Sequence, residues 1–219
     1  MNPKDHPGPG ERVEGRAFEA VAWDEADLTQ TAFDRCAFSD SAFGNANLSG
    51  ARFSRCRLLR AAFAHADLRE AVFADCVFAD PETQQGGDFA FCRLDEARFP
   101  QARFHRAFGR KVVRAAVDFL KCNLELADLA DANLAACDLS GSRLREADIG
   151  GADLEGANLR DTDLFQARID GARLAGADLR GGEVSGLDLR RLASYEGLKI
   201  TADQQFRLLD ALGLDIHFA

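Results

Sequence analysis

The sequence contains little histidine, tryptophan, tyrosine or methionine. Its 219 residues include only four histidines, one tryptophan, one tyrosine and one methionine. The histidines are scattered, and no paired Cys/His spacing typical of a zinc site occurs. A nucleophile elbow and a phosphate-cradling glycine loop are also missing. These absences predict a protein that is not an enzyme and that uses neither a metal nor another cofactor.

Long apolar runs and an excess of positive charge are missing as well. No apolar run approaches the ~18 residues of a transmembrane helix. The Pro/Gly-rich residues 1–12 lack the apolar core of a secretory signal, so we expect a flexible leader on a cytoplasmic protein without a membrane contact. The net charge of −9 argues against direct binding to nucleic acid, which requires a basic surface.

The chain contains instead a repeat with a period of five residues. A large apolar residue recurs at every fifth position from Phe18 to Phe78 and, after a shift in phase, from Phe89 onward and from Phe119 to Leu189. A small residue, usually Ala, lies two positions before nearly all of them. Neither a helix of period 3.6 nor a strand of period 2 produces this spacing. The repeat predicts an all-β square solenoid in which one pentapeptide forms each side and four form each coil.

The six cysteines all occupy the small position of the repeat, where they alternate with Ala and are therefore predicted to point inward. They are Cys36, Cys56, Cys76, Cys92, Cys122 and Cys137. Stacked coils lie about 4.8 Å apart, but the parallel direction of stacked side chains disfavours disulfides. We interpret the cysteines as buried, reduced thiols that act as small apolar residues.

The predicted solenoid spans residues 13–189 and is interrupted twice. Residues 79–88 are rich in Pro and Gly and predict a loop, with Phe89 eleven positions after Phe78 where ten would keep the phase. In residues 105–118, a Gly and an Arg occupy two core positions. This second stretch is either a distorted coil or a second projection.

The period changes again in residues 190–219. Thr201-x-x-Gln204 predicts a capping box at the start of a helix that Gly213 ends. The segment is predicted to cover the end of the apolar column, and its apolar face is a natural place for two chains to meet. The candidate dimer residues are Phe206, Leu209, Leu212, Leu214, Ile216 and Phe218.

The position just before each large apolar residue is predicted to point outward, and it is often Asp. In the second half these residues are Asp128, Asp138, Asp148, Asp153, Asp163, Asp178 and Asp188. One interpretation is that Asp suits this turn and keeps the repeat soluble. The other is that the aspartates form an acidic stripe that imitates the phosphates of duplex DNA and attracts a basic DNA-binding groove.

With these features the sequence resembles the pentapeptide-repeat quinolone-resistance (Qnr) family. The first interruption is similar to the first projecting loop of the family and reads Cys76-x-Phe78-x-Asp80-x-Glu82-x-Gln84-x-Gly86-x-x-Phe89. The tail is similar to the family's C-terminal dimerisation segment in Gly197-x-Lys199 and in Leu208-Leu209 followed by Leu212-Gly213.

The resemblance implies a right-handed quadrilateral β-helix that dimerises tail to tail and has a short C-terminal α-helix. It implies binding to DNA gyrase, and often to topoisomerase IV, which protects the enzyme from fluoroquinolone poisoning. The residues implied to contact the topoisomerase are Asp80, Pro81, Glu82, Thr83, Gln84, Gln85, Gly86 and Gly87. Two alternatives remain open: a self-immunity factor against a gyrase-poisoning natural product, and a structural or adaptor repeat protein with another partner.

Overall fold

The computed structural model of the protein describes residues 6–78, 89, 92, 105–108, 111–115 and 118–214. We call residues 6–78 the first segment and residues 118–199 the second segment. In the first segment, seven strands of three residues form two parallel sheets. One sheet consists of β1 (Arg12–Glu14), β3 (Ala32–Asp34), β5 (Arg52–Ser54) and β7 (Val72–Ala74). The other consists of β2 (Ala17–Glu19), β4 (Ala37–Ser39) and β6 (Arg57–Leu59).

The register of these sheets sets the length of one coil. Val13 pairs with Phe33, which pairs with Phe53, so each side lies against the side 20 positions further along the chain. The other two sides of the square are joined by isolated parallel bridges, such as that between Ala22 and Ala42. Four sides of five residues therefore close each coil, and the predicted quadrilateral pentapeptide-repeat β-helix is confirmed.

The second segment continues the same architecture with single bridges in place of named strands. Asn123, Arg143, Asp163 and Glu183 follow one another along one side with the same spacing of 20. Near the end of the segment, a 3-10 helix at Leu189–Arg191 adds one residue to the coil, so that Arg173 pairs with Ser194.

The core is a column of inward-facing side chains that stack from coil to coil. The ring centroids of Phe33 and Phe53 lie 4.9 Å apart, and those of Phe53 and Phe73 lie 4.8 Å apart, with nearly parallel planes. All three rings are buried. The centroid spacing matches the distance between paired strands, so each coil covers an apolar surface that a single coil would leave open.

The six cysteines are buried in this column and form no disulfide, as predicted. Their thiols are bonded to backbone carbonyls: Cys56 Sγ lies 3.4 Å from the carbonyl oxygen of Phe33, and Cys76 Sγ lies 3.4 Å from that of Phe53. Burial raises the pKa of the Cys137 thiol well above its usual value. A neutral thiol is a poor nucleophile, so these cysteines serve packing.

The corners of the square require an unusual backbone conformation. At every fifth position a residue has a positive φ, for example Arg55 (53°), Asp131 (57°) and Gly151 (67°). This left-handed conformation costs an L-residue about 1–2 kcal/mol, and glycine adopts it without a steric penalty. Small and polar residues therefore dominate the corners.

The C-terminal helix α1 (Ala202–Ala211) closes the end of the stack. The backbone N–H of Thr201 donates to Gln204 Oε1 (2.7 Å), as the predicted capping box requires, and Gly213 has a φ of 75° just beyond the helix. The buried amide of Gln204 donates to the carbonyl oxygens of Leu179 (2.6 Å) and Gly182 (2.8 Å) of the last coil. Within the described residues, no helix is long and apolar enough to cross a membrane.

Candidate functional site: two insertions on one side of the solenoid

The ring contacts show where the first interruption leaves the stack. On neighbouring sides of one coil, Phe73 and Phe78 are five residues apart in sequence and have ring centroids 5.5 Å apart. The centroids of Phe78 and Phe89 are also neighbours, at 5.6 Å, although eleven residues separate them. Phe89 therefore occupies the side directly after that of Phe78, and six residues are surplus to the coil.

The second interruption is a larger insertion. Phe89 stacks on Phe63 of the coil before it (4.9 Å) and on Phe119 of the coil after it (5.1 Å). Phe119 follows Phe89 by 30 positions, where one coil requires 20, so ten residues are surplus. The stack itself is continuous, because the N–H of Asn123 donates to the carbonyl of Cys92 (3.0 Å) across the same two coils.

The surplus residues include a pair of strands with an orientation different from that of the coils. β8 (His105–Phe108) and β9 (Lys111–Ala115) pair antiparallel, with Phe108 opposite Lys111. All other strand pairs and bridges in the described part of the chain are parallel. Of the two alternatives that the sequence left open, the structure favours a projection, because the stretch contains an antiparallel strand pair.

Both insertions return to the solenoid at the same side. The first ends before Phe89 and the second ends before Phe119, and these two rings stack directly on one another. The points of return are therefore one coil apart, about 4.8 Å along the rod. The predicted loop residues Asp80–Gly87 lie outside the described residues.

The seven aspartates of the predicted stripe have a local structural role. Each accepts a hydrogen bond at its side-chain oxygen from the backbone N–H two residues ahead; Ala130 donates to Asp128 (3.1 Å) and Phe165 donates to Asp163 (3.0 Å). The same contact recurs at the other five. Such bonds stabilise a turn. They explain why Asp and Asn recur before the apolar residue, whatever the partner.

The same seven aspartates do not form one stripe. The bridges place Asp128 and Asp148 on one side, Asp153 on another, Asp163 on a third and Asp178 on the fourth. The seven aspartates are thus distributed over all four sides, because the side of the square depends on position within a coil of 20 residues and not on the pentapeptide position.

Arginine neutralises five of these seven carboxylates. Ion pairs join Asp148, Asp153, Asp163, Asp178 and Asp188 to arginines at distances of 2.6–3.8 Å, from Arg168, Arg173, Arg145, Arg180 and Arg190 respectively. The hydrogen bonds from Arg180 hold the pKa of Asp178 down at about 2. Among the described residues Asp128 and Asp138 have no ion pair, so they contribute most of the charge that this set presents.

The C-terminal segment exposes apolar side chains. Phe206 is 40% exposed and Leu214 is 52% exposed, while Leu209 and Leu212 are partly buried. The predicted dimer residues Ile216 and Phe218 lie outside the described residues. The sequence analysis missed Tyr195 and Ile200, which are 49% and 37% exposed. Their signal is the end of the strict five-residue repeat at Leu189, after which the sequence no longer indicates which apolar residues point inward.

Comparison with known proteins agrees with this architecture. A family model described as pentapeptide repeats matches residues 122–161 and 157–191, and one described as a pentapeptide repeat region matches residues 16–99. Together they cover more than half of the chain. Comparison with curated protein sequences gives no match.

Solved structures show a similar fold. Two trypsin-treated forms of QnrB1, described as a plasmid-mediated fluoroquinolone resistance protein, are each 24% identical to this chain. One match has a TM-score of 0.51 and covers 94% of this chain and 98% of that chain. The other has a TM-score of 0.50 and covers 96% and 93%. HetL, a pentapeptide repeat protein involved in heterocyst differentiation regulation in Nostoc sp. strain PCC 7120, is 19% identical over 87% of each chain, with a TM-score of 0.46. The chain belongs to the pentapeptide-repeat proteins.

Proposed function

We propose that the protein binds a type II topoisomerase, DNA gyrase in the first place and topoisomerase IV in the second, and protects it from fluoroquinolone poisoning. The observation that carries the proposal is the return of two insertions to one side of the solenoid in successive coils. A scaffold that only stacks coils has no need of either insertion. The fold likeness to a fluoroquinolone resistance protein supports the choice of partner.

The insertions are suited to contact a partner because the stack does not depend on them. The rings of Phe63, Phe89 and Phe119 stack past both insertions with the spacing found elsewhere in the rod. Residues 79–88 carry three acidic and no basic side chains, whereas residues 105–117 carry four basic and no acidic ones. The two insertions therefore differ in the sign of their charge, and such a difference favours one orientation of a charged partner.

The rod itself contributes a long-range attraction. The net charge of −9 draws the protein toward a basic DNA-binding groove. This DNA-like role rests on the carboxylates that arginine does not neutralise, so it is weaker than the number of aspartates suggests. It speeds the encounter, and the insertions supply the specific contacts.

We also propose that two copies associate through the C-terminal segment. Phe206 and Leu214, together with Tyr195 and Ile200, expose apolar area near the end of the stack. A symmetric dimer would cover this patch on both chains at once. Leu209→Glu, a change to another good helix former, should then give monomers by sedimentation while α1 persists. A parent protein that is monomeric at micromolar concentration would rule the dimer out.

The test of the main proposal is gyrase supercoiling in the presence of ciprofloxacin. One variant replaces Pro81–Gln85 with a short Gly/Ser turn, a second replaces His105–Ala115 in the same way, and a third combines both. Each single variant should protect less than the parent at matched concentration, with a nearly unchanged melting temperature. The double variant should lose less protection than the sum of the losses of the two single variants, because both insertions contact one partner.

Two controls separate the alternatives. Glu70→Gln changes an exposed carboxylate at the corner diagonally opposite to the insertions and should protect as well as the parent. A second supercoiling series with a natural-product gyrase poison in place of ciprofloxacin tests the self-immunity function. If immobilised parent protein retains no topoisomerase, the adaptor function replaces the proposal. If gyrase is retained but both insertion variants protect fully, the insertions are not the contact.

A further inference from the structure

The solenoid has a cavity at its N-terminal end. Eight residues between His6 and Phe18 line it, and its volume is about 260 Å³. Val13 and Phe18 form an apolar floor, since both are buried and point inward, and the ring of Phe18 stacks on that of Phe38 in the next coil (4.9 Å). A cavity of about 150 Å³ in a protein core is sufficient to bind benzene. This cavity therefore has room for a small molecule with an apolar body.

The cavity exists because the first coil is covered along one side only. Residues 6–10 run along the side of Leu28, where the N–H of Gly10 donates to the carbonyl of Thr29 (2.8 Å). That side lies opposite to the side of Phe18, because Leu28 and Phe18 are ten residues apart in a coil of 20. Strands β1 and β2 are each at the end of their sheet. Within the described residues, nothing stacks on these two strands as one coil stacks on the next elsewhere in the rod.

The open edge of β1 presents a backbone donor at this end of the rod. The N–H of Ala32 donates to the carbonyl of Glu11 in the preceding coil (2.8 Å), and Arg12 is aligned with Ala32 in the sheet. The N–H of Arg12 therefore points beyond the end of the stack, and that of Ala17 does the same on β2. Neither N–H makes a hydrogen bond in the part of the chain that the structure describes. A carboxylate is a strong acceptor for such groups.

Glu11 and Arg16 place opposite charges on opposite walls of the cavity. Both occupy the small inward position of the repeat, where later coils have Ala or Cys. Oε1 of Glu11 lies 3.2 Å from the point that a Cβ on Gly8 would occupy, so this carboxylate lies at the wall formed by residues 6–10. The guanidinium of Arg16 lies over the ring of Phe18, 5.4 Å from its centre. The cavity is thus acidic at one wall, basic at the other and apolar at the floor.

The other charged groups of the cavity are offset by their neighbours. Glu14 forms an ion pair with Arg35, which does not line the cavity. Arg12 lies 3.9 Å from Glu14 and 4.0 Å from Asp34. Glu11, in contrast, has no ion pair among the residues that the structure describes. A ligand with a positive group can therefore pair with Glu11 without displacing an existing contact.

We propose that this cavity is a binding site for a small zwitterion with an apolar body, of the class of the apolar α-amino acids. The ligand carboxylate binds at Arg16 and at the N–H of Arg12, its ammonium binds at Glu11, and its side chain packs on the apolar floor. A simple carboxylate would leave Glu11 unpaired beside it, and a simple amine would meet the like charge of Arg16. The site is separate from the proposed topoisomerase contact, because Phe78, after which the first insertion begins, follows Phe18 by 60 positions, or three coils.

Four probes test which parts of the ligand the cavity requires. They are phenylalanine, 3-phenylpropionate, which lacks the ammonium, 2-phenylethylamine, which lacks the carboxylate, and glycine, which lacks the apolar side chain. Trp23, the single tryptophan, has its ring centroid 4.8 Å from that of Phe18, so its fluorescence reports on the cavity floor. Phenylalanine should change this fluorescence in a saturable way and raise the melting temperature. Each of the other three probes should bind about tenfold more weakly or worse, because each loses one charged or apolar contact.

Two variants assign the charges to their walls. Glu11→Gln should weaken the binding of phenylalanine about tenfold and leave that of 3-phenylpropionate unchanged. Arg16→Gln should weaken phenylalanine by a similar factor and leave 2-phenylethylamine unchanged. The matched controls are Glu19→Gln on β2 and Arg57→Gln on β6, which remove exposed charges outside the cavity and should bind all four probes like the parent.

Each contrary outcome overturns the inference. A parent protein whose fluorescence and melting temperature do not respond to millimolar phenylalanine has no such site. Equal affinity for phenylalanine and 3-phenylpropionate would show that Glu11 takes no part, and equal affinity for glycine would show the same of the apolar floor. If Arg16→Gln lowers the melting temperature of the free protein, Arg16→Lys replaces it: this variant keeps the positive charge and should retain the preference for phenylalanine over 2-phenylethylamine. Loss of that preference in Arg16→Lys would also count against the site.

Discussion

Replacing Phe89 by alanine should uncouple the two segments of the rod. Phe89 is fully buried and stacks on Phe63 (4.9 Å) in one direction and on Phe119 (5.1 Å) in the other. Two further rings, Phe73 and Phe78, meet it at 6.0 and 5.6 Å. In a repeat protein each coil is stabilised by its neighbours alone, so the contacts at Phe89 carry much of the cooperativity between the segments.

The magnitude follows from burial and from the ring contacts. Phe-to-Ala changes in a packed core cost about 3–5 kcal/mol, and each favourable aromatic pair accounts for about 0.5–1.5 kcal/mol of such a loss. With at least four ring neighbours, we expect the cost of Phe89→Ala to fall near the upper end, at about 4–5 kcal/mol. Domains have total free energies of unfolding of about 5–15 kcal/mol, so Phe89→Ala would remove a large part of the stability of the protein.

A denaturant titration followed by two probes measures the uncoupling. Trp23, the single tryptophan, is buried in the first coil and reports on the first segment through its fluorescence, while far-UV circular dichroism reports on both segments. For the parent, the unfolding curves from the two probes should coincide. For Phe89→Ala, the two curves should differ. The matched control is Phe53→Ala, which removes a buried ring stacked at 4.9 and 4.8 Å within the first segment. It should lower stability by a similar amount without separating the probes. Coincident curves for Phe89→Ala, or a loss below about 2 kcal/mol, would refute the reasoning.

Three further predictions follow from single contacts. A thiol reagent should modify the six buried cysteines slowly in the native protein and completely in denaturant; fast native reaction would contradict their burial. The pKa of Asp178 is lowered to about 2 from 3.8, so the stability that its carboxylate contributes is present above pH ~4 and is lost as the pH falls from ~4 through ~2. Asp178→Asn should therefore reduce the fall of the melting temperature between pH ~4 and pH ~2. If the variant shows the same fall as the parent, the ion pair with Arg180 does not stabilise the protein. Gln204→Ala leaves the carbonyl of Gly182 without this buried donor and should cost about 1–3 kcal/mol, which an unaltered melting temperature would disprove.

The pentapeptide period predicts the interior of this protein well because the inward positions repeat every five residues on all four sides. The buried phenylalanines, the leucines and the cysteines all followed from it. The capping box at Thr201 and the helix end at Gly213 were also predictable, since both depend on neighbouring residues alone. The five-residue period does not indicate to which side of the square a residue belongs.

The period alone leaves the length of both insertions open for this reason. A spacing of eleven residues between Phe78 and Phe89 can be two pentapeptides and one residue, or one pentapeptide and six residues. The ring contacts select the second. The ten surplus residues before Phe119 are a multiple of five, so the repeat stays in phase through the hairpin and only the Gly and the Arg at core positions mark the interruption in the sequence. The period reveals an insertion only when its length is not a multiple of five.

The acidic residues show the same limitation at the surface. Asp148 and Arg168 are 20 positions apart, which makes them neighbours on one side of successive coils. A comparison of positions one coil apart would have revealed this pair, whereas the count of aspartates hid it. The ion pair between Asp178 and Arg180 lies within one turn and could be predicted from neighbouring residues alone. The number of aspartates therefore overstates the acidity of the rod.

The arrangement separates the residues that stabilise the rod from those proposed to contact a partner. The stacked rings and the thiols lie inside, and the insertions leave the stack at one corner. Phe89 is where the two sets meet, because it joins the segments and also receives the first insertion. Loss of Phe89 should therefore reduce both stability and protection of gyrase, whereas the insertion variants should reduce protection alone. If Phe89→Ala lost half of its free energy of unfolding and still protected gyrase fully, protection would not depend on how the stack positions the insertions. Their return to one side of the solenoid would then no longer support the proposed function.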